Sequence, residues 1–359
     1  MLYTYKPIPH DMRKMHAFVA YIFVKVWCKA PSCEYSLDLF SGMPDLLAIM
    51  EQLIREDQAG KENGAGAFFF SSVNEIFIGF KTLSPSQIKH MRKMFLANNN
   101  IQALCEGRVT PFRYPLNINP ILHDKIQKFF SKLYSCGFFN LKFVRDKLGT
   151  DLHDHYNAFT KANELTSCPF CGLQPMDTDN DPTKEAYDHY LPSSIYPFNS
   201  VNFKNLAPAC HKCNSQYKLA KDPLAGAGGK QRRAFYPYAL NNYPIQTSVQ
   251  FLQDMQPTNK DQMVIGLKCD GFEEEIKTWD ALYNITERFA ARCCSPASKA
   301  WTNRIRLECR NYGKTPEQAL EAELLICSES PWTEAMFLKA AYLREMNRVG
   351  LISSTTAYE

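Results

Sequence analysis

Two Cys-x-x-Cys pairs, Cys168/Cys171 and Cys210/Cys213, bracket an adjacent acid and base, Asp188-His189, and an asparagine, Asn205. A further asparagine, Asn214, follows the last cysteine directly. Four thiolates in two such pairs are the ligand set of a tetrahedral Zn²⁺ that staples a small, loop-rich segment. A closed zinc site has no use for an acid, a base and two amides. Those are the groups that take a proton from water or offer oxygen to a hard cation.

The elements that must position them can be read locally. The run Tyr187-Asp188-His189-Tyr190-Leu191 is strand-like and is closed by Pro192. Neighbours on a strand point to opposite faces, so Asp188 and His189 diverge unless a kink reorients them. That division suits hydrolysis, with one group on a metal and the other on water. Asn205 follows after enough chain for a loop and a return strand. The stretch from Pro208 to Asn214 reads as a turn into a helix, with Asn214 and Lys218 four apart and therefore on one face. The expected order is strand, loop, strand, helix, with the knuckles pinning the ends.

Asp-His-x-x-Pro, then Asn205-Leu206, then Cys-x-x-Cys-Asn with a following Lys218 resembles the HNH endonucleases, in the branch whose ββα-metal fold is braced by a four-cysteine zinc. The match covers Cys168 to Lys218, about a seventh of the chain. The resemblance implies that His189 is the general base that activates water. It implies that Asp188 and Asn214 hold one divalent cation, that Asn205 braces the loop and orients the histidine, and that the four cysteines hold structural zinc. Some relatives carry a second histidine where Lys218 stands. The catalytic ion would then have one carboxylate and one amide oxygen, a set that suits Mg²⁺ or Mn²⁺ better than Zn²⁺. Lys218 is expected to meet a phosphate as a point charge. The resemblance further implies a DNA substrate and a setting in bacterial anti-phage defence or restriction, beside an ATPase partner.

The physical logic agrees. Phosphodiester hydrolysis needs an activated water, which a neutral imidazole supplies near pH 7. It also needs charge neutralisation, which one cation supplies. Between Cys210 and Arg233 stand six Lys/Arg against one acid, Asp222. Lys212, Lys230, Arg232 and Arg233 are the expected backbone-phosphate contacts there, and His211 is read as a DNA contact or a neighbour of the metal ligands.

Two rival readings compete with this one. A zinc-braced nucleic-acid-binding protein without catalysis accounts for the knuckles and the basic segment but leaves Asp188, His189 and Asn214 idle. A zinc nucleobase deaminase matches Pro208 and the Cys210/Cys213 pair, but needs an upstream His-x-Glu or Cys-x-Glu. No histidine here has glutamate two residues later, and the Cys-x-Glu at Cys327 lies downstream.

The whole chain sets the frame. Its 359 residues, 45% apolar and 22% charged, allow two or three globular domains. A net charge of +4 permits nucleic acid without demanding it. Thirteen cysteines, irregular outside the knuckles, fit a reducing cytoplasm with one metal-held cluster. The apolar run from Ala17 to Trp27 contains Lys25 and is shorter than the roughly 20 residues that span a bilayer. The expectation is a mostly helical α+β protein: a helical region over 1–150, the ββα-metal module with its zinc over 151–233, and a mainly helical region over 234–359. Helices are expected over His10–Lys29, Pro44–Ile54, Thr150–Asn163 and Glu273–Cys293, with capping boxes at Ser84–Gln87 and Thr315–Gln318. A helical stretch is expected after Asn119, with Phe129 to Phe143 as its core face. Phe68–Phe80 reads as a short strand pair, short strands are expected between Ala234 and Phe272, and a last helix is expected to open at Ser330-Pro331. Trp279, Trp301 and Trp332 are read as core anchors, and His153 and His155 as solvent-facing. His10, His16, His90 and His123 are read as isolated.

Overall fold

The computed structural model describes residues 1–58, 64–114, 118–135 and 142–355. Helices dominate, with two short antiparallel strand pairs between them. The expected Phe129–Phe143 face extends in part outside the described residues.

The first half is built by α1 (Lys14–Tyr21), α2 (Pro44–Gln58), α3 (Ala65–Lys81), α4 (Pro85–Asn98), α5 (Ile101–Cys105), α6 (Pro120–Ser135), α7 (Lys142–Leu148) and α8 (Leu152–Asn163). Beyond α1 the chain stays helical but changes pitch, through a π turn at Ile22–Val26 and a 3₁₀ stretch at Trp27–Ser32. The strand pair expected at Phe68–Phe80 is instead part of α3. Its phenylalanines and isoleucines suit a strand, but Phe69, Val73, Ile76, Phe77 and Phe80 are the buried positions. That three-to-four spacing is the helical period, and it prevails over composition. Ser84 caps α4 with the reciprocal Gln87 bond that the sequence predicts.

The central strands are β1 (Tyr187–His189) and β2 (Leu206–Pro208). They pair antiparallel, with Asp188 opposite Ala207 and His189 opposite Leu206. β3 (Gln246–Phe251) and β4 (Met263–Lys268) form the second pair.

The C-terminal helices follow: α9 (Glu273–Tyr283), α10 (Ile285–Cys293), α11 (Pro296–Tyr312), α12 (Pro316–Glu329), α13 (Met336–Arg348) and α14 (Leu351–Thr355). The helix expected across Glu273–Cys293 is broken at Asn284, which takes the left-handed conformation that asparagine tolerates better than most residues. The last long helix opens at Met336 rather than at Pro331. Glu334 and Ala335 both have positive φ and turn the chain just before it. Thr315 caps α12 as the motif predicts.

Two apolar cores result. One gathers α1 to α4 and α6 around Phe23, Trp27, Phe80 and Phe129, and takes in Tyr187, Phe198, Val201 and Leu206. The other gathers the C-terminal helices, the cysteine knuckles and the β3–β4 pair, and includes Tyr190, Leu191 and Ala207. The N-terminal residues Leu2 and Tyr5 belong to this second core, where their amides bond the Pro169 and Pro237 carbonyls. The β1–β2 pair therefore lies between the two, with Leu206 in one core and Ala207 in the other. Among the described residues no helix is long and apolar enough to cross a membrane.

Candidate metal centre and active site

Cys168, Cys171, Cys210 and Cys213 are all buried, with sulfur atoms within 4.8 Å of one another. Each knuckle is shaped by its backbone. The Gly172 amide bonds the Cys168 carbonyl at 2.6 Å, and Gly172 itself has φ +63°, a conformation that a side chain resists. The sulfurs also receive donors: Leu173 N–H on Cys171 at 3.4 Å, Cys213 N–H on Cys210 at 3.5 Å, and Arg288 Nη1 on Cys213 at 3.4 Å. Such donors favour thiolate over thiol, so the donor set fits a metal such as zinc. None of the twelve described cysteines is in a disulfide.

Arg288 was not legible as part of this centre. It comes from α10, and its guanidinium stacks 4.3 Å over the Tyr217 ring and bonds the Tyr283 carbonyl. Trp279, another neighbour, ties α9 to the first knuckle through Nε1–H to the Phe170 carbonyl at 2.8 Å.

His189 sits at the end of β1, on the face shared with Tyr187 and Leu206. Its Nε2 lies 2.8 Å from the Ser200 carbonyl oxygen. A carbonyl only accepts, so Nε2 carries the hydrogen and Nδ1 is the lone-pair nitrogen. Burial pulls the ring's pKa down to about 4, and the nearby Lys218 charge adds to this while the Ser200 bond opposes it. The imidazole is neutral at physiological pH.

Asp188 faces the other side and is buried. Its Oδ1 accepts from Lys218 Nζ at 2.9 Å, whereas Oδ2 is buried without a hydrogen-bond partner. Burial pushes this carboxyl above its usual range, with Lys218 acting in the opposite direction. Lys218 itself is completely enclosed and donates a second bond to the His189 carbonyl at 2.8 Å. The phosphate contact expected of Lys218 is therefore corrected: its ammonium is held inside by a carboxylate and a carbonyl, and no surface anion reaches it.

The helix expected after the second knuckle is a short π turn, Cys213–Lys218, closed by the Leu219 amide on the Asn214 carbonyl. The wider turn belongs to a geometry that is rare and often marks functional sites. Asn214 is half-buried on it; His211 and Lys212 precede it and are exposed. α9 packs against this turn.

Asn205 is fully buried and closes the loop between the strands. Its Oδ1 accepts from the Leu191 amide at 2.8 Å, and its Nδ2 donates to the Leu191 carbonyl and to Asn199 Oδ1. Asn199 and Asn202 take part in the same loop, bonding the Asn98 carbonyl and Asn99 respectively. Of these three asparagines only Asn205 was singled out from the sequence; the partners Asn98 and Asn99 lie about a hundred residues away along the chain.

The basic segment divides. Arg232 donates to the Pro223 and Asp222 carbonyls, and Arg233 pairs with Glu274 and Glu275. Lys212 and Lys230 are exposed. Asp222, the lone acid, pairs with Arg113 Nε at 2.8 Å and accepts from Tyr196. Of the two histidines on α8, only His153 faces solvent. His155 is buried against the Tyr187 hydroxyl, edge-on to the His10 ring and tilted against Phe203, because its face of the helix is the core face of Tyr156 and Phe159.

Comparison with protein-family models, with curated proteins and with solved structures finds no match.

Proposed function

We propose that this chain is a metal-dependent endonuclease of HNH type that hydrolyses phosphodiester bonds in DNA, with β1, β2 and the π turn serving as a ββα-metal module. One observation carries the reading: Asp188 and His189 are adjacent and differently prepared. The acid has a buried oxygen without a partner, and the base is held neutral with its hydrogen on the Ser200 side.

In this reading His189 takes the proton of the attacking water at Nδ1. Ser200 fixes the tautomer, and Asn205 holds the loop from which Ser200 comes. Asp188 Oδ2 and the Asn214 amide oxygen are the groups that would hold Mg²⁺ or Mn²⁺, as hard oxygen donors suit those ions. When bound, such an ion neutralises charge on the phosphate and on the leaving oxygen. Lys218 is a fixed cation on the same carboxylate and limits the charge left for the ion. The four cysteines and Arg288 brace the module. The setting we assign by resemblance is an effector of anti-phage defence or restriction in the cytoplasm, acting with an ATPase partner.

The Lys218–Asp188 pair is also the observation that favours a second reading, a zinc-braced nucleic-acid-binding protein without catalysis, since an ammonium already occupies one carboxylate oxygen. A single experiment separates them. The purified chain, with any protein that co-purifies, is incubated with plasmid, linear duplex and single-stranded DNA, in Mg²⁺, Mn²⁺ or EDTA. We expect cutting that needs the divalent ion and falls by about 100-fold or more in His189→Ala, the usual scale of a lost general base. Binding without cutting under every condition would support the second reading, and equal cutting by His189→Ala would remove His189 from the mechanism.

A further inference from the structure

A cavity of about 540 Å³ opens beside the loop that joins β1 to β2. Its polar lining comes from three parts of the chain: His10, Arg13 and His16 near the start, Asn99 at the end of α4, and Asn202 and Lys204 in the loop. Lys14 also reaches it, but pairs with Asp11 and Asp45. No carboxylate lines the cavity. Arg13 and Lys204 are exposed, and neither has a carboxylate partner among the described residues.

Three features bear on what fills the cavity. Two cations without a carboxylate partner, from distant parts of the chain, line one concave space, where their fields add and favour a negative occupant; Arg13 Nη1 also donates to the Ile8 carbonyl at 3.4 Å. His16 Nδ1 is buried and has no hydrogen-bond partner. The His16 ring is pulled to a pKa of about 4, by burial first and then by Lys204 and Arg13, so both cations act on the same ring. A bound anion would offset the charge of the two cations and their effect on the His16 ring. Phe203 and Ala17 supply apolar wall beside this polar group. The volume falls within the roughly 300–1,000 Å³ of small-molecule sites and exceeds what a bare phosphate fills.

We propose that this cavity is a phosphate-binding site, in which Arg13 and Lys204 clamp the phosphate group of a nucleotide unit, the His16 ring borders it, and Phe203 lies beside the sugar or base. The phosphate belongs either to a free nucleotide or to a nucleic-acid strand. The site is separate from Asp188 and His189 and does not depend on the nuclease reading. The two share one loop: Asn202 lies two residues beyond Ser200, whose carbonyl holds His189, and its own carbonyl accepts from the Asn205 amide at 2.7 Å.

The test is binding by titration calorimetry in EDTA, where no cutting is required. The probes are inorganic phosphate, a deoxynucleoside 5′-monophosphate and a short single-stranded oligonucleotide. The proteins are the wild type, Arg13→Ala/Lys204→Ala, and Lys277→Ala/Lys299→Ala, which removes the same charge from exposed positions elsewhere. Arg13 and Lys204 are exposed, and an unchanged melting temperature will verify that their replacement leaves the fold intact. We expect the wild type and the Lys277/Lys299 variant to bind alike, and the Arg13/Lys204 variant to bind about tenfold more weakly or worse, the scale of lost charged hydrogen bonds. Mononucleotide binding with that pattern identifies a free nucleotide as the source, and oligonucleotide binding alone identifies a strand. Absence of binding by all three probes, or an equal loss in both double variants, would overturn the proposal. Cutting assays remain informative in either case, so this site can fail while the nuclease reading stands.

Discussion

Lys218 and Asp188 are 1% and 4% exposed at their side chains, which makes them a buried ion pair rather than a surface contact. Removing one partner leaves the other charged, dry and uncompensated, whereas removing both leaves two neutral groups. Lys218→Met should therefore cost about 3–5 kcal/mol in urea unfolding, and Asp188→Asn/Lys218→Met should recover most of that loss. Strictly additive losses would show that the pair is not coupled. His155 makes a different prediction, through pH. Its folded pKa is pushed down to about 3, by burial first and then by His10 and Arg13. A group whose folded pKa lies below its unfolded value of about 6.5 contributes stability that is complete above that value and lost as pH falls toward the folded one. The wild type should lose about 2 kcal/mol from this ring between pH 7 and pH 5, a loss His155→Phe does not share. Melting curves should thus show the gap between the two proteins narrowing at pH 5; a constant gap would mean that the ring does not titrate on unfolding. Single residues were unevenly legible. The four cysteines announced themselves by spacing, but the fate of Lys218 did not, because only the fold brings a residue on the π turn back against β1.

Among the elements, the cysteine knuckles carry the clearest consequence. Four buried sulfurs with three donors on them form a closed ligand set, so about one zinc per chain should be found by elemental analysis. Cys213→Ser should lose that metal and most soluble protein, since such sites contribute folding energy directly. Arg288→Ala is the finer test: zinc should remain, but a chelator should remove it about tenfold faster, because the guanidinium on Cys213 is gone. Unchanged release would make Arg288 a packing group alone. Helix starts marked by reciprocal side-chain bonds, at Ser84 and Thr315, were legible because every partner lies within four residues. The break at Asn284 and the positive-φ turn at Glu334–Ala335 were not. Nothing local demands a left-handed residue at either point; the demand comes from packing one helix against the next. Phe68–Phe80 misled for a related reason, since an aromatic and β-branched composition serves a buried helix as well as a strand.

At the scale of the molecule, the strand pair and its loop belong to both apolar cores. Tyr187, Phe198 and Leu206 lie in the first, and Tyr190, Leu191 and Ala207 in the second. The mostly helical α+β character was legible from periodicity, but this sharing was not, because no pattern along the chain records which core a strand face meets. Heating should therefore unfold both halves in one calorimetric transition, with equal calorimetric and van't Hoff enthalpies. Two resolved transitions would show that the cores melt separately. The shared strands also bear on how substitutions combine. Changes in well-separated cores ordinarily add. Here Leu206 and Ala207, neighbours in one strand, answer to different cores, so a repacking that shifts β2 from one side alters the fit on the other. Epistasis in this chain should run through three residues of backbone, and the chemistry proposed for Asp188 and His189 hangs on the strand paired to it.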